Sequence, residues 1–387
     1  MERQPQKVVI IGSAWPLRGG LATYNERLAR AYRDEGADVQ LYTFSLQYPG
    51  FLFPGKTQYS DEPAPENLRI HVAINAINPF NWLKIGFRIK GLRPDLVIIK
   101  FWIPFMAPCL GTIARIIRSN RHSRVISIID NIIPHEKRIG DRILGWYWVK
   151  SVQGFVAMSR SVLTDLESFD KKKPKAYCPH PLYDNFGAII SKSEAKEKLH
   201  LDQSFSYILF FGFIRDYKGL DLLLKAFSDV RFRKLPLRLL VAGEFYSDPK
   251  PYLDLIAELG LNDDVILSND FIPDSEVYQY FCAADLVVQP YRHATQSGVT
   301  QIAYHFNRPM IITDVGGLAE FVPEGKVGYV VQPDPESIAD AILKFYLEKK
   351  EAEFTENVIL EKAKYSWDRM LETISDLMEG MQNRIKN

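Results

Sequence analysis

Apolar positions along the chain fall into short unbroken runs, separated by stretches in which they recur with helical period. "KVVIIGSA", "DVQLYTF", "LRIHVA", "DLVIIKF", "RVISIID" and "GFVAMS" are apolar on both faces, as strands of a parallel sheet covered on both sides are. A helix is expected over 20–35, and helix-like segments precede the later strands. Around "CPHPLYDNFG" turn residues break the pattern, and a second cycle begins: "SYILFFGFI", "LRLLVAG", "DVILSNDF", "ADLVVQP", "RPMIITD" and "GYVV". Helices are expected there over 219–230, 251–260, 274–283, 298–307 and 335–349. The fold class that follows is α/β, with two Rossmann-like doubly wound domains, 1–187 and 188–364. Such domains hold ligands at the carboxyl ends of their strands, and two of them facing each other make one cleft. The last stretch, 365–387, has a helical stripe at 367, 370, 371, 374, 377 and 378 and is expected to cross back to the first domain.

A chain of 387 residues exceeds what one core serves, and its 47% apolar and 25% charged content is that of a folded soluble protein. The polar lead runs straight into the first strand without the features of a signal peptide, and no uncharged apolar segment reaches the roughly 18 residues of a membrane span. Cys109, Cys178 and Cys282 are far apart, so a cytoplasmic protein without a cysteine metal site is expected. The net charge of +1 conceals an asymmetry. Residues 1–190 hold 26 Lys and Arg against 16 Asp and Glu, +10, whereas residues 191–387 hold 22 against 31, −9. The basic half suits an anionic partner such as an acceptor phosphate or a phospholipid surface.

Several stretches could carry chemistry. Gly19 and Gly20 lie between the first strand and a helix, where backbone N–H groups and the helix dipole favour an anion; the alternative is an ordinary turn. Arg215 and Lys218 in "GFIRDYKGLDLLL" occupy the corresponding turn of the second domain, and together could reach a diphosphate. "DNIIPHEKR" gathers Asp130, Asn131, His135 and Glu136 after a strand, suited to acid–base or hydroxyl-binding work or to a capping turn. Thr295, Gln296, Ser297 and Gly298 open a helix and suit an N-cap or a phosphate contact. His180 and His305 suit structural roles as well as functional ones. The chain has no DxD, GxGxxG, P-loop, GxSxG or HExxH sequence, so neither paired-aspartate metal binding nor a nicotinamide site is expected. "PFNWLKIGFRIKGLR" interleaves aromatic and basic residues as a membrane-surface helix or a covering helix does, and "KKKPK" is expected as a solvated connector whose lysines add to membrane attraction.

Taken in order, the Gly-Gly turn, "GFIRDYKGLDLLLKAF", "VAGE", "ADLVVQPY", "QSGVTQIAYHFNRPMIITDVGGLAEFV" and "SWDRM" resemble the retaining GT-B glycosyltransferases of family four, over nearly the whole chain. The resemblance implies a UDP- or GDP-sugar donor in the second domain and a lipid-linked or polysaccharide acceptor, as in cell-envelope synthesis, in the first. It implies transfer with retention. Apart from the resemblance, no metal or other cofactor and no nucleic acid are expected, and the place expected is cytoplasmic, peripheral on the inner face of a membrane through the basic first half. Gly212, Arg215 and Lys218 match the donor-diphosphate site, and Gly19 and Gly20 the loop that closes on the same phosphates. Thr295, Gln296, Ser297, Gly298 and Val299 match the donor loop, and Gln301 lies near the glutamate that holds the ribose.

The chain departs from that pattern at two places. Both glutamates of the donor loop are replaced, with Thr295 near the first, and Asp130 stands where many members have histidine, His135 following later. Either Asp130 or His135 is the group expected at the reacting sugar. Front-face retaining transfer lets the leaving diphosphate take the acceptor proton, so positioning and charge stabilisation by Arg215 and Lys218 suffice without the glutamates. The alternative that the missing carboxylates suggest is a catalytically silent nucleotide-sugar-binding or scaffold protein of a glycan-assembly complex.

Overall fold

The computed structural model describes residues 6–49, 57–134, 139–294 and 297–386, with side chains to 381. The chain divides into two compact units: Met1–Pro181 together with Ser366–Asn387, and Leu182–Tyr365.

Unit 1 is built on β1 (Lys7–Ile11), α1 (Gly20–Asp34), β2 (Asp38–Leu46), β3 (Ile70–Asn75), α2 (Pro79–Leu92), β4 (Leu96–Phe101), α3 (Ala107–Arg118), β5 (Arg124–Ile129), α4 (Asp141–Ser151), β6 (Gly154–Ala157), α5 (Arg160–Phe169) and β7 (Lys175–Tyr177). Its seven strands are parallel, in the order β3-β2-β1-β4-β5-β6-β7. Every residue of β4 and β6 is buried, which is why those strands, Lys100 excepted, are apolar without alternation. Local chemistry sets the helix ends: Asn78 accepts from the Phe80 and Asn81 amides ahead of Pro79, and Ser159 accepts from Val162.

Unit 2 runs through α6 (Lys192–Lys198), β8 (Ser206–Phe211), α7 (Leu220–Phe227), β9 (Leu237–Ala242), α8 (Lys250–Glu258), β10 (Val265–Ser268), α9 (Val277–Ala283), β11 (Leu286–Gln289), α10 (Gly298–His305), β12 (Met310–Thr313), β13 (Gly328–Val331), α11 (Pro335–Leu347) and α12 (Glu351–Glu361). Six parallel strands are ordered β10-β9-β8-β11-β12-β13. Counted from its own first strand, this is 3-2-1-4-5-6, the order of the first six strands of unit 1. Each sheet therefore reverses direction beside its first strand, between β1 and β4 and between β8 and β11, and the crevice at those carboxyl ends is where such sheets hold ligands.

The final helix, α13 (Trp367–Lys386), belongs to unit 1 and packs on α1, β6 and β7. Its stripe of Met370, Leu371, Ile374, Leu377 and Met381 is buried. The "KKKPK" stretch is not a free connector: Lys175 begins β7, and the Lys173 ammonium donates to the Val149 and Val152 carbonyls at the end of α4. Only Lys171 and Lys172 are exposed.

Candidate functional site

In unit 2 the two loops that leave β8 and β11 meet at the reversal point. Gly219 makes this possible. Its φ of 66° is one that side-chain-bearing residues avoid, and a Cβ there would lie 2.0 Å from the Pro290 carbonyl oxygen. Arg292 locks the loops together: its amide donates to the Tyr217 carbonyl at 2.7 Å, and its guanidinium to the Asp216 carbonyl at 2.8 Å and Asp221 Oδ2 at 2.6 Å. The charge of Arg292 is thereby neutralised by Asp221.

The other two cations of this crevice are not. Arg215 lies over the Tyr246 ring, with its guanidinium carbon 3.6 Å from the centroid, and Lys218 Nζ is 5.5 Å from the Tyr291 ring centroid. The ammonium also sits over Gly212, 3.0 Å from where a Cβ would be, so a side chain at 212 would displace it. Neither Arg215 nor Lys218 is in an ion pair among the described residues. Burial, followed by the charge of Arg215, pushes the Lys218 ammonium down to about 7. Arg215 and Lys218, the latter charged once it is protonated, lie without a carboxylate partner beside a glycine and the start of α7, a place of positive potential that takes a multiply charged anion.

The opposite wall is the start of α10. Ser297 occupies the N-cap position, but its side chain makes no capping bond; the hydroxyl lies 3.4 Å from Tyr291 Oη. Ser297 is therefore the N-cap residue by position, but does not cap through its side chain. Val299 lies 3.7 Å from the Cβ position of Gly212, which brings Gly212 and the residues after Gly298 to one place. Gln301 is 1% exposed and neither its carboxamide oxygen nor its nitrogen has a hydrogen-bond partner among the described residues. Thr300 instead exchanges bonds with Gln289 at 3.1 and 3.2 Å. The helix ends at His305 and Asn307 follows at φ 57°, its amide donating to Tyr304, so a left-handed cap occupies the space before Pro309. Thr295 and Gln296 lie outside the described residues.

Unit 1 brings a second polar cluster to the carboxyl ends of β4, β5 and β7. Lys100, on β4, is 1% exposed; its ammonium is 2.8 Å from Asp130 Oδ1, 3.6 Å from the Tyr24 ring centroid and 3.8 Å from Met158 Sδ. Burial lowers the pKa of Lys100 and the Asp130 carboxylate opposes that shift. His180 donates through Nδ1 to the Pro181 carbonyl at 2.7 Å, and its edge meets Tyr24. Burial, then the Lys100 charge, pushes it down to about 3, so it stays a neutral imidazole. Asp130 thus faces a cation rather than open solvent. His135 lies outside the described residues.

The turn after β1 is held from several sides. Thr43 Oγ1 accepts from the Ala14 amide at 2.9 Å, Glu26 from the Trp15 amide at 2.8 Å, and Gln58 O from the Arg18 amide at 3.1 Å. Gly19, at φ 98°, stands at the N-cap of α1, and Gly20 is the first helical residue. Gly19 and Gly20 therefore lie at the reversal point of unit 1, and Gly212, Arg215, Lys218, Ser297, Gly298 and Val299 at that of unit 2. Sequence reasoning missed Lys100, Tyr24, Tyr246, Tyr291 and Arg292. Of these, Lys100 carried a signal, a lysine within an otherwise apolar strand; the tyrosines carried none.

The model of the family described as glycosyl transferases group 1 matches residues 206–348, within unit 2. Over this segment the chain is similar to the glycosyl transferases group 1 family. Among curated relatives, a lipopolysaccharide 1,2-N-acetylglucosaminetransferase of Salmonella typhimurium is 25% identical over 219 residues, 54% of this chain and 55% of that protein. A D-inositol 3-phosphate glycosyltransferase of Corynebacterium urealyticum is 24% identical over 317 residues, 76% of this chain and 73% of that protein. The chain thus spans about half the length of the first and about three quarters of the second. In fold, it is similar to sucrose-phosphate synthase from Thermosynechococcus elongatus, with a TM-score of 0.76 at 17% identity over 98% of this chain and 100% of that one. An Anabaena HepE structure in complex with UDP and glucose matches with a TM-score of 0.72 at 15% identity, over 97% of this chain and 100% of that one. These likenesses show the fold, two Rossmann-like α/β domains.

Proposed function

We propose that the protein is a retaining, metal-independent glycosyltransferase that moves a sugar from a UDP- or GDP-sugar to a lipid-linked or polysaccharide acceptor. The observation that carries this reading is the uncompensated Arg215 and Lys218 pair at the reversal point of unit 2. In the reaction the bond between the anomeric carbon and the diphosphate oxygen breaks, the acceptor oxygen bonds to that carbon on the same face, and the acceptor proton passes to the leaving diphosphate. Negative charge grows on the diphosphate as this happens. Arg215 offers a planar fork for two phosphate oxygens and Lys218 a point charge, and both stabilise the leaving group more than the intact donor. Without the family's two glutamates, hydroxyl recognition falls to Thr295, Gln296 and Gln301, whose neutral hydrogen bonds are about half as strong as those of a carboxylate. Unit 1, through Asp130 or His135 and the turn at Gly19 and Gly20, takes the acceptor and the sugar. The Anabaena HepE structure in complex with UDP-glucose supports a uridine nucleotide as the first to test.

Incubation with a panel of UDP- and GDP-sugars tests the reading: slow donor hydrolysis, unaffected by a chelator and abolished by Arg215→Ala or Lys218→Ala without loss of fold, is the expected result. No binding or hydrolysis of any donor sinks it. Binding without turnover in any acceptor mixture identifies instead a catalytically silent nucleotide-sugar-binding protein, the reading that the missing glutamates favour.

A further inference from the structure

On one face of the unit 1 sheet α2, α3 and α4 lie side by side. A Cβ at Gly86 of α2 would meet Ile116 of α3 at 2.9 Å, and Thr112 of α3 is hydrogen-bonded to Tyr147 of α4 at 2.9 Å. A helix that only covers a sheet turns polar side chains outward. These do not. While α2 buries Ile85 and Ile89 against the sheet, it leaves Phe80 83%, Leu83 44% and Phe87 59% exposed. While α4 buries Trp148 and Val149, it leaves Ile143 75% and Trp146 42% exposed.

The charge between these side chains is of one sign. The three helices carry seven lysines and arginines and a single carboxylate, Asp141. None of the seven stands in an ion pair among the described residues. Lys90 Nζ lies 5.8 Å from the Phe87 ring centroid and Lys150 Nζ 5.3 Å from that of Trp146, so apolar rings and cations occupy the same surface. An acidic protein groove would take the charges, but it would leave side chains on separate, outward-turned helix faces without a continuous cavity to fill. A bilayer surface takes both: rings enter the boundary between headgroups and acyl chains, and ammonium and guanidinium groups stay among phosphates. No helix among the described residues is long and apolar enough to cross a membrane, so the contact is with the surface.

We propose that the α2–α4 face of unit 1 docks on an anionic phospholipid surface, with Phe80, Leu83, Phe87, Ile143 and Trp146 inserted at the headgroup boundary. This goes beyond the transfer reaction and stands whether or not donor turnover is found. The full-length chain, sedimented with vesicles of phosphatidylcholine alone or mixed with phosphatidylglycerol, binds only the mixed vesicles, and less as salt rises. Phe80→Ser with Phe87→Ser, and separately Lys84→Glu with Arg142→Glu, each lower the partition by about tenfold or more while the melting temperature and any donor hydrolysis in lipid-free buffer are retained. Equal or negligible binding to both vesicle types overturns the proposal, as does wild-type partition by both double variants. A lipid-free dimer that the same variants dissolve, with no vesicle binding, also overturns it and makes the face a contact between two copies of this chain.

Discussion

Lys218 is a cation held where a cation is costly. Burial and Arg215 depress its pKa from 10.5 to about 7. A diphosphate beside it reverses both influences, raising the pKa back toward and above its ordinary value. Between about pH 8 and 10 the free protein therefore holds this amine largely unprotonated and the complex holds it protonated, so UDP binding takes up close to one proton. Calorimetry of UDP binding at pH 8 in buffers of different ionisation enthalpy measures that uptake, and Lys218→Met should abolish it; no proton uptake in the wild type would place the diphosphate away from Lys218. The Lys100–Asp130 pair poses a different question at the same scale. Removing one partner of a buried ion pair leaves the other unneutralised at a cost of about 3–5 kcal/mol, whereas replacing both by apolar residues is often near neutral. Lys100→Met should thus lower stability in urea by about 3 kcal/mol or more, and Lys100→Met combined with Asp130→Leu should recover most of it. Recovery of stability without recovery of turnover would assign the pair to function; a double variant as unstable as the single one would make the pair a structural requirement.

Among the elements, long runs of one period were legible. The helix expected over 20–35 is Gly20–Asp34, and the one expected over 335–349 is Pro335–Leu347. The short elements were hidden. The three residues of β7 begin at the last lysine of a cluster, and the bonds of Lys173 just before them to the end of α4 are long-range contacts with no local signature. In the site, the cations of the β8 turn could be read from their position between a strand and a helix, whereas Tyr246 and Tyr291 come from loops of other strands and are joined to them only by sheet order. Gly219 tests how tightly the two loops are held. Both Gly219 and Gly260 have positive φ, 66° and 68°, but a Cβ at 260 meets nothing within 4 Å. Alanine at 260 should cost about 1 kcal/mol from backbone strain alone. At 219 the same strain is joined by a collision with Pro290 O, and the loss in chemical denaturation should be larger by about 2 kcal/mol or more, with weakened UDP binding. Equal losses at the two glycines would show that the loops separate easily.

At the scale of the whole molecule, the chain leaves unit 1 at Pro181 and returns to it at Ser366, so unit 2 is continuous and unit 1 is not. The ends of unit 2 meet, since the Leu182 amide donates to the Tyr365 carbonyl at 2.9 Å. Unit 1 depends on its second segment: Met370, Leu371, Ile374, Leu377 and Met381 are each less than 7% exposed, and Gly154 of β6 leaves room for Leu377 and Met381. Burial of each such side chain contributes about 1.5–3 kcal/mol, so losing five removes on the order of 10 kcal/mol, as much as a whole domain commonly has. Deleting residues 366–387 should therefore unfold unit 1 while unit 2, whose core and cation pair are untouched, still folds and binds UDP. The measurement is thermal unfolding with and without UDP: the truncated chain should lose one transition and keep the one that UDP raises. Loss of both transitions would mean that unit 2 has no stability of its own, and retention of both would mean that β6 and β7 need no cover from α13.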